Sequence, residues 1–93
     1  MAIQVIFAPA VNDAVERFLD CVEVDAWVNA LNFIEGLQHR LLQTLSIFPE
    51  GGATFQGKTR FFSLDGYTFL YEYDEKNQQV FVLDMYGKGM NWR

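Results

Sequence analysis

The spacing of apolar positions changes once along this chain, and that change divides it. Residues 3–7, "IQVIF", are apolar except for Gln4 and rich in branched side chains, which predicts a strand. Pro9 follows at a place that suits the first turn of a helix, where its missing N–H costs nothing. Val11, Ala14, Val15, Phe18, Leu19 and Val22 then recur at helical spacing, with Asp13, Glu16, Arg17 and Asp20 between them. Asp25 is placed to cap a second helix. The apolar face of that helix reads Trp27, Ala30, Leu31, Ile34, Leu37, Leu41, Leu45 and Phe48, and "PEGG" (49–52) ends it. After Gly57 the period shortens to two. "RFFSL" (60–64), "YTFLYEY" (67–73) and "QVFVLDMY" (79–86) read as strands, with "DG" (65–66) as a two-residue hairpin turn and "DEKNQ" (74–78) as a polar one.

The expected fold is therefore α+β. An N-terminal strand and two amphipathic helices precede a three-stranded antiparallel meander, which forms one sheet packed on the helices. With 93 residues, the expectation is a single domain spanning 1–93. No repeat, linker or low-complexity tract interrupts it.

Charge narrows the function. The formal net charge is −5 and is unevenly spread. Residues 1–57 carry two basic and seven acidic side chains, whereas residues 58–93 carry five of each. An acidic chain has no general attraction to nucleic acid or anionic lipid, so only the second half can supply a basic patch. Cys21 is the one cysteine, which rules out an internal disulfide and suits a cytoplasmic setting. No apolar run approaches the ~20 residues of a membrane span, so no membrane association is expected.

One stretch invites a sharper reading. "GATFQGKT" (52–59) satisfies the phosphate-loop pattern G-x-x-x-x-G-K-[ST], and "VFVLD" (80–84) resembles the strand whose terminal Asp holds magnesium in such proteins. A phosphate loop works by joining a strand to a helix, so that amides and helix N-terminus hold the phosphates together. Here the predicted order is reversed: a helix precedes the stretch and a strand follows it. The glycines are expected to serve the turn out of the second helix, and no nucleotide cofactor is expected.

The element order, with Gly66, Tyr67, Tyr71 and the branched run "VFVL" (80–83), resembles the RelE/ParE-type toxins of bacterial toxin–antitoxin and plasmid-stabilization systems. In detail the resemblance covers residues 58–89. It implies a toxin-like component of a type II pair. The mode would be ribosome-dependent RNA cleavage in weakened form, or non-catalytic binding to a target such as DNA gyrase. The alternative is a non-enzymatic binding module without toxicity. Implied partners are an antitoxin protein and either the ribosome with its RNA or gyrase; a homodimer is a further one. Lys58 and Arg60 match the family's basic pair on the first meander strand, and Lys88 matches its closing basic residue; these are the RNA- or phosphate-binding candidates. Thr68 stands where the family has an Arg. The family's C-terminal Tyr is missing, and Trp92 could stack a base without acting as acid or base. Catalytic residues are thus unassigned, and whether the chain is an enzyme stays open.

Other residues have plainer readings. His39 with Glu35 four residues earlier makes a surface pair too small for a metal site, and no metal is expected. Cys21 reads as a packing residue and Trp27 as core. Tyr67, Phe69, Tyr71 and Tyr73 share one strand face, which is either the core or a sizeable exposed patch.

Overall fold

The computed structural model describes residues 3–87. Strand β1 (Gln4–Phe7) leads into α1 (Pro9–Asp20), which opens on Pro9 as its missing donor requires. A 3₁₀ turn at Val24–Ala26 precedes α2 (Trp27–Ile47). Asp25 lies inside that turn, and no side chain caps α2, contrary to the expected cap. Strands β2 (Ala53–Gln56), β3 (Thr59–Leu64), β4 (Tyr67–Asp74) and β5 (Gln79–Tyr86) complete the described chain.

The sheet has five strands in the order β1-β5-β4-β3-β2, not a three-stranded meander. β3, β4 and β5 are antiparallel neighbours as expected, and β1 joins them parallel to β5. The unexpected strand is β2, which pairs antiparallel with β3. All four of its residues are exposed; "ATFQ" alternates apolar and polar, but over only four residues set between Gly52 and Gly57, where the glycines suggest a turn. Two tight turns fix the register. Asp65 and Gly66 both take positive φ (51° and 86°), the backbone a type I′ hairpin needs. Gly57 takes φ 57° in the two-residue link between Gln56 and Thr59.

Both helices cover one face of the sheet. Val11 and Ala14 from α1 and Ile34, Leu37, Leu41 and Leu45 from α2 pack on Phe69, Tyr71, Val80, Val82 and Met85. The Phe69–Tyr71 face is thus core, with Tyr67 and Tyr73 partly buried against it. Tyr67 also meets the ring of Phe18 edge-on at 5.8 Å and that of Phe33 at 5.7 Å, joining both helices to β4. Strict alternation along β5 would send Asp84 into this core after Val80 and Val82. A bulge between the Leu70–Asp84 and Tyr71–Val82 pairs adds one residue, so Met85 faces inward opposite Phe69 and Asp84 faces outward. The Asp84 carboxylate accepts the N–H of Met85 at 2.8 Å, steadying the irregular backbone.

Three residues assigned to the buried face of α2 are not buried. Trp27 is 42% exposed, Leu31 42% and Phe48 65%. The apolar arc of α2 is wider than the sheet and α1 can cover.

Candidate functional site

Lys58 and Arg60 lie at the end of the sheet where β3 begins and β4 finishes. They line an open groove of about 1100 Å³ with Thr54, Lys76, Glu50, Glu72, Asp74 and Glu75 among its walls. Three cations therefore face four carboxylates, which makes a poor cradle for phosphate. Lys58 belongs to the β2–β3 link, and its charge is one of the influences that hold the Asp74 carboxyl below its usual range; the larger causes are the side-chain and backbone donors of Asn77.

Arg60 stands opposite Tyr71 in the β3–β4 ladder, so it projects toward the helix-covered side. One guanidinium nitrogen, Nη1, donates to the carbonyls of Gly52 (3.0 Å) and Glu50 (3.3 Å). The buried Tyr71 hydroxyl accepts the Gly52 N–H at 2.7 Å. Arg60 and Tyr71 therefore hold the segment between α2 and β2 from two sides. A Cβ at Gly52 would lie 2.6 Å from both the Phe61 carbonyl oxygen and the Tyr71 hydroxyl. The first glycine of "GATFQGKT" is there because two groups press on the backbone at that point. The pattern forms a β-hairpin, with no helix N-terminus following it.

Thr68 is on the other face. It pairs with Ser63, is 9% exposed, and its hydroxyl lies 3.2 Å from that of Ser63. Lys58 precedes Thr59, which pairs with Glu72, so the turn sits five residues along β4 from Thr68, or ~16 Å. Gly87 follows Tyr86, whose partner is Thr68, and so lies at the end of the sheet away from Lys58. Lys88 and Trp92 lie outside the described residues. The structure brings Lys58 and Arg60 to one groove and separates both from the Thr68 position. Cys21 is exposed rather than a packing residue. Among the described residues, no group of three or more His, Cys, Asp or Glu side chains could hold a metal ion, and no helix is long and apolar enough to cross a membrane.

No protein-family model matches the sequence, and no curated protein matches it. Solved structures do. The isolated RelE toxin of E. coli aligns over 97% of this chain and 88% of its own, with a TM-score of 0.57 and 16% identity. The chain has the RelE-type toxin fold. A chain of the RelBE2 toxin–antitoxin complex of Mycobacterium tuberculosis matches with a TM-score of 0.61 and 16% identity, over 95% of this chain and all of that one. A chain of the intact E. coli RelBE complex matches at 0.58 and 17%, over 97% and 100%. At these identities the RelE-type fold is what is shared. The polar residues mounted on it here are this chain's own.

Sequence reasoning missed the clamp formed by Gly52, Arg60 and Tyr71. The Gly51–Gly52 pair was the one visible sign of a crowded backbone, and nothing in the sequence names Arg60 and Tyr71 as the groups that hold it.

Proposed function

We propose that this chain is the toxin-like component of a type II toxin–antitoxin pair and that it acts by binding a target, such as DNA gyrase, rather than by cutting RNA. The RelE-type fold supports the first part, and two of the structures it matches are toxin–antitoxin complexes. The use of Arg60 carries the second. Its Nη1 is turned to the Glu50 and Gly52 carbonyls, on the opposite face of the sheet from Thr68. A phosphoryl-transfer site needs donors converging where charge develops, and each missing donor costs on the order of 10²–10³ in rate. A groove with more carboxylates than cations supplies no such convergence.

The test is induced expression in a bacterial host, scored for growth arrest, with parallel primer extension on ribosome-bound mRNA. The expected outcome is arrest without codon-specific cleavage. Efficient cleavage would restore the nuclease reading. Absence of arrest would favour a binding module that keeps the fold without toxicity.

A further inference from the structure

The start of α2 leaves an apolar stripe uncovered. Val24 is 80% exposed, Val28 71%, and Trp27 and Leu31 are 42% each. Their spacing (i, i+3, i+4, i+7) puts them on one side of the 3₁₀ turn and helix, and Leu42, also exposed, continues the same line. Together the first four expose roughly 400 Å², a size at which a patch on a monomer tends to be functional. Trp27 is fixed in place: its indole N–H donates to the Val22 carbonyl at 2.9 Å. An ordered, half-exposed Trp loses little freedom when a partner covers it, as interface anchors require.

The charges along the chain around this stripe have one sign. Residues 18–39 contain Asp20, Glu23, Asp25 and Glu35 and no Lys or Arg. Glu23, Asp25 and Glu35 are exposed, and Glu35 falls in the stripe between Leu31 and Leu42. The nearest cation along α2, Arg40, is paired with Asp65 at 3.1 Å. On the helical wheel it projects to the side away from the stripe.

We infer that this stripe docks an amphipathic helix whose apolar seam is flanked by Lys or Arg, one of which meets Glu35. The inference rests on the reading that the chain works by binding, and it names the chemistry of one partner. Charge decides the occupant. A second copy of the chain would bring the same carboxylates against their own, and an anionic membrane would be repelled by them. A cationic helix satisfies both the seam and the rim. Such helix-in-groove contacts read as apolar anchors at i, i+3, i+4 and i+7. The patch alone is smaller than the ~800 Å² per partner of a standard interface, so micromolar affinity is expected.

The experiment uses the full chain and two labelled designed peptides, followed by fluorescence anisotropy. Both carry the same Leu seam at heptad spacing; one has Lys at the flanking positions and the other Glu. The Lys peptide should bind saturably and at least about tenfold tighter than the Glu peptide, with affinity falling as salt rises. Val28→Asp should weaken it by about tenfold or more while the thermal midpoint stays unchanged, since Val28 is exposed. Glu35→Lys should narrow or reverse the preference between peptides. Equal binding of the two peptides, or none of the Lys peptide, would overturn the inference. So would a sedimenting dimer that Val28→Asp dissolves, which would assign the stripe to a second copy. These readouts use purified protein and do not depend on growth arrest, so this inference and the toxin reading fail separately.

Discussion

Replacing Tyr71 with Phe removes one oxygen from the interior and nothing else. The ring is fully buried, and Phe fills the same space. The lost hydroxyl is the acceptor for the Gly52 N–H at 2.7 Å. A buried donor left without a partner costs about 1–3 kcal/mol. For a domain of this size, each kcal/mol lowers the melting midpoint by about 4–8 °C, so Tyr71→Phe should melt roughly 5–20 °C lower. Gly52→Ala attacks the same contact from the other side. Its Cβ would meet the Phe61 carbonyl at 2.6 Å, and that oxygen belongs to a strand paired on both flanks. Relief requires β2 to move off β3, so the loss should be at least as large as in Tyr71→Phe. Gly57→Ala is the control. It meets open space, and the left-handed backbone alone costs about 1–2 kcal/mol. Circular dichroism melts of the three variants rank these costs. A Tyr71→Phe midpoint within about 2 °C of the parent would refute the clamp, because a bond worth 1 kcal/mol must show.

Calorimetry with ATP or GTP and magnesium should show no heat beyond dilution, because "GATFQGKT" forms a hairpin; saturable binding lost in Lys58→Ala would contradict this. Burial pushes the Tyr71 phenol above its ordinary value near 10, outweighing the Gly52 N–H and the Arg60 charge that pull it down. Its neutral form therefore stabilises the fold fully below pH ~10, and that contribution is lost as pH rises through the elevated value. Denaturant midpoints measured between about pH 9 and pH 11 should fall less steeply in Tyr71→Phe than in the parent; parallel curves would assign the alkaline loss to other groups. Thr68→Arg should give no cleavage of ribosome-bound mRNA, since Arg60 projects from the opposite face and Lys58 is ~16 Å away along the strand. A gain of tenfold or more in primer-extension stops would mean that the Thr alone disables the site.

The helices and the three long strands were legible because each buries one face and leaves the other wet, so period and polarity agree. β2 was not legible, because its four alternating residues are too few to outweigh the glycines on either side, and none of them is buried. The outer flank of α2 misled for the opposite reason. Trp27 and Leu31 are apolar and lie beside the Ile34, Leu37, Leu41 and Leu45 stripe, but at the flank of an arc wider than the sheet and α1 cover, and Phe48 falls just past the helix end. Sequence spacing shows that a position is apolar, not that anything covers it. The candidate site was legible only as residue types. Lys58 and Arg60 stood out only as a basic pair; that they line one groove, and that Arg60 faces the Gly52 carbonyl, both depend on the β2–β3 hairpin.

Both halves of the nucleotide-binding pattern have backbone duties in this fold, and the two duties are related. Gly52 is glycine because the Tyr71 hydroxyl and the Phe61 carbonyl approach too closely for a side chain. Asp84 is acidic where a strand is otherwise apolar because the bulge beside it turns that position outward and exposes the Met85 N–H to its carboxylate. Each irregularity lets a large core residue of the β4–β5 pair keep its place: Tyr71 beneath the α2–β2 link, Met85 opposite Phe69. A short pattern of Gly, Lys and Asp is then what remains visible in sequence once packing has fixed two backbone positions. The same physics explains why Arg60 is a weak candidate for catalysis. Its guanidinium donates to the Glu50 and Gly52 carbonyls, so recruiting it to a phosphate would first require giving up both bonds, the one to Gly52 partly buried.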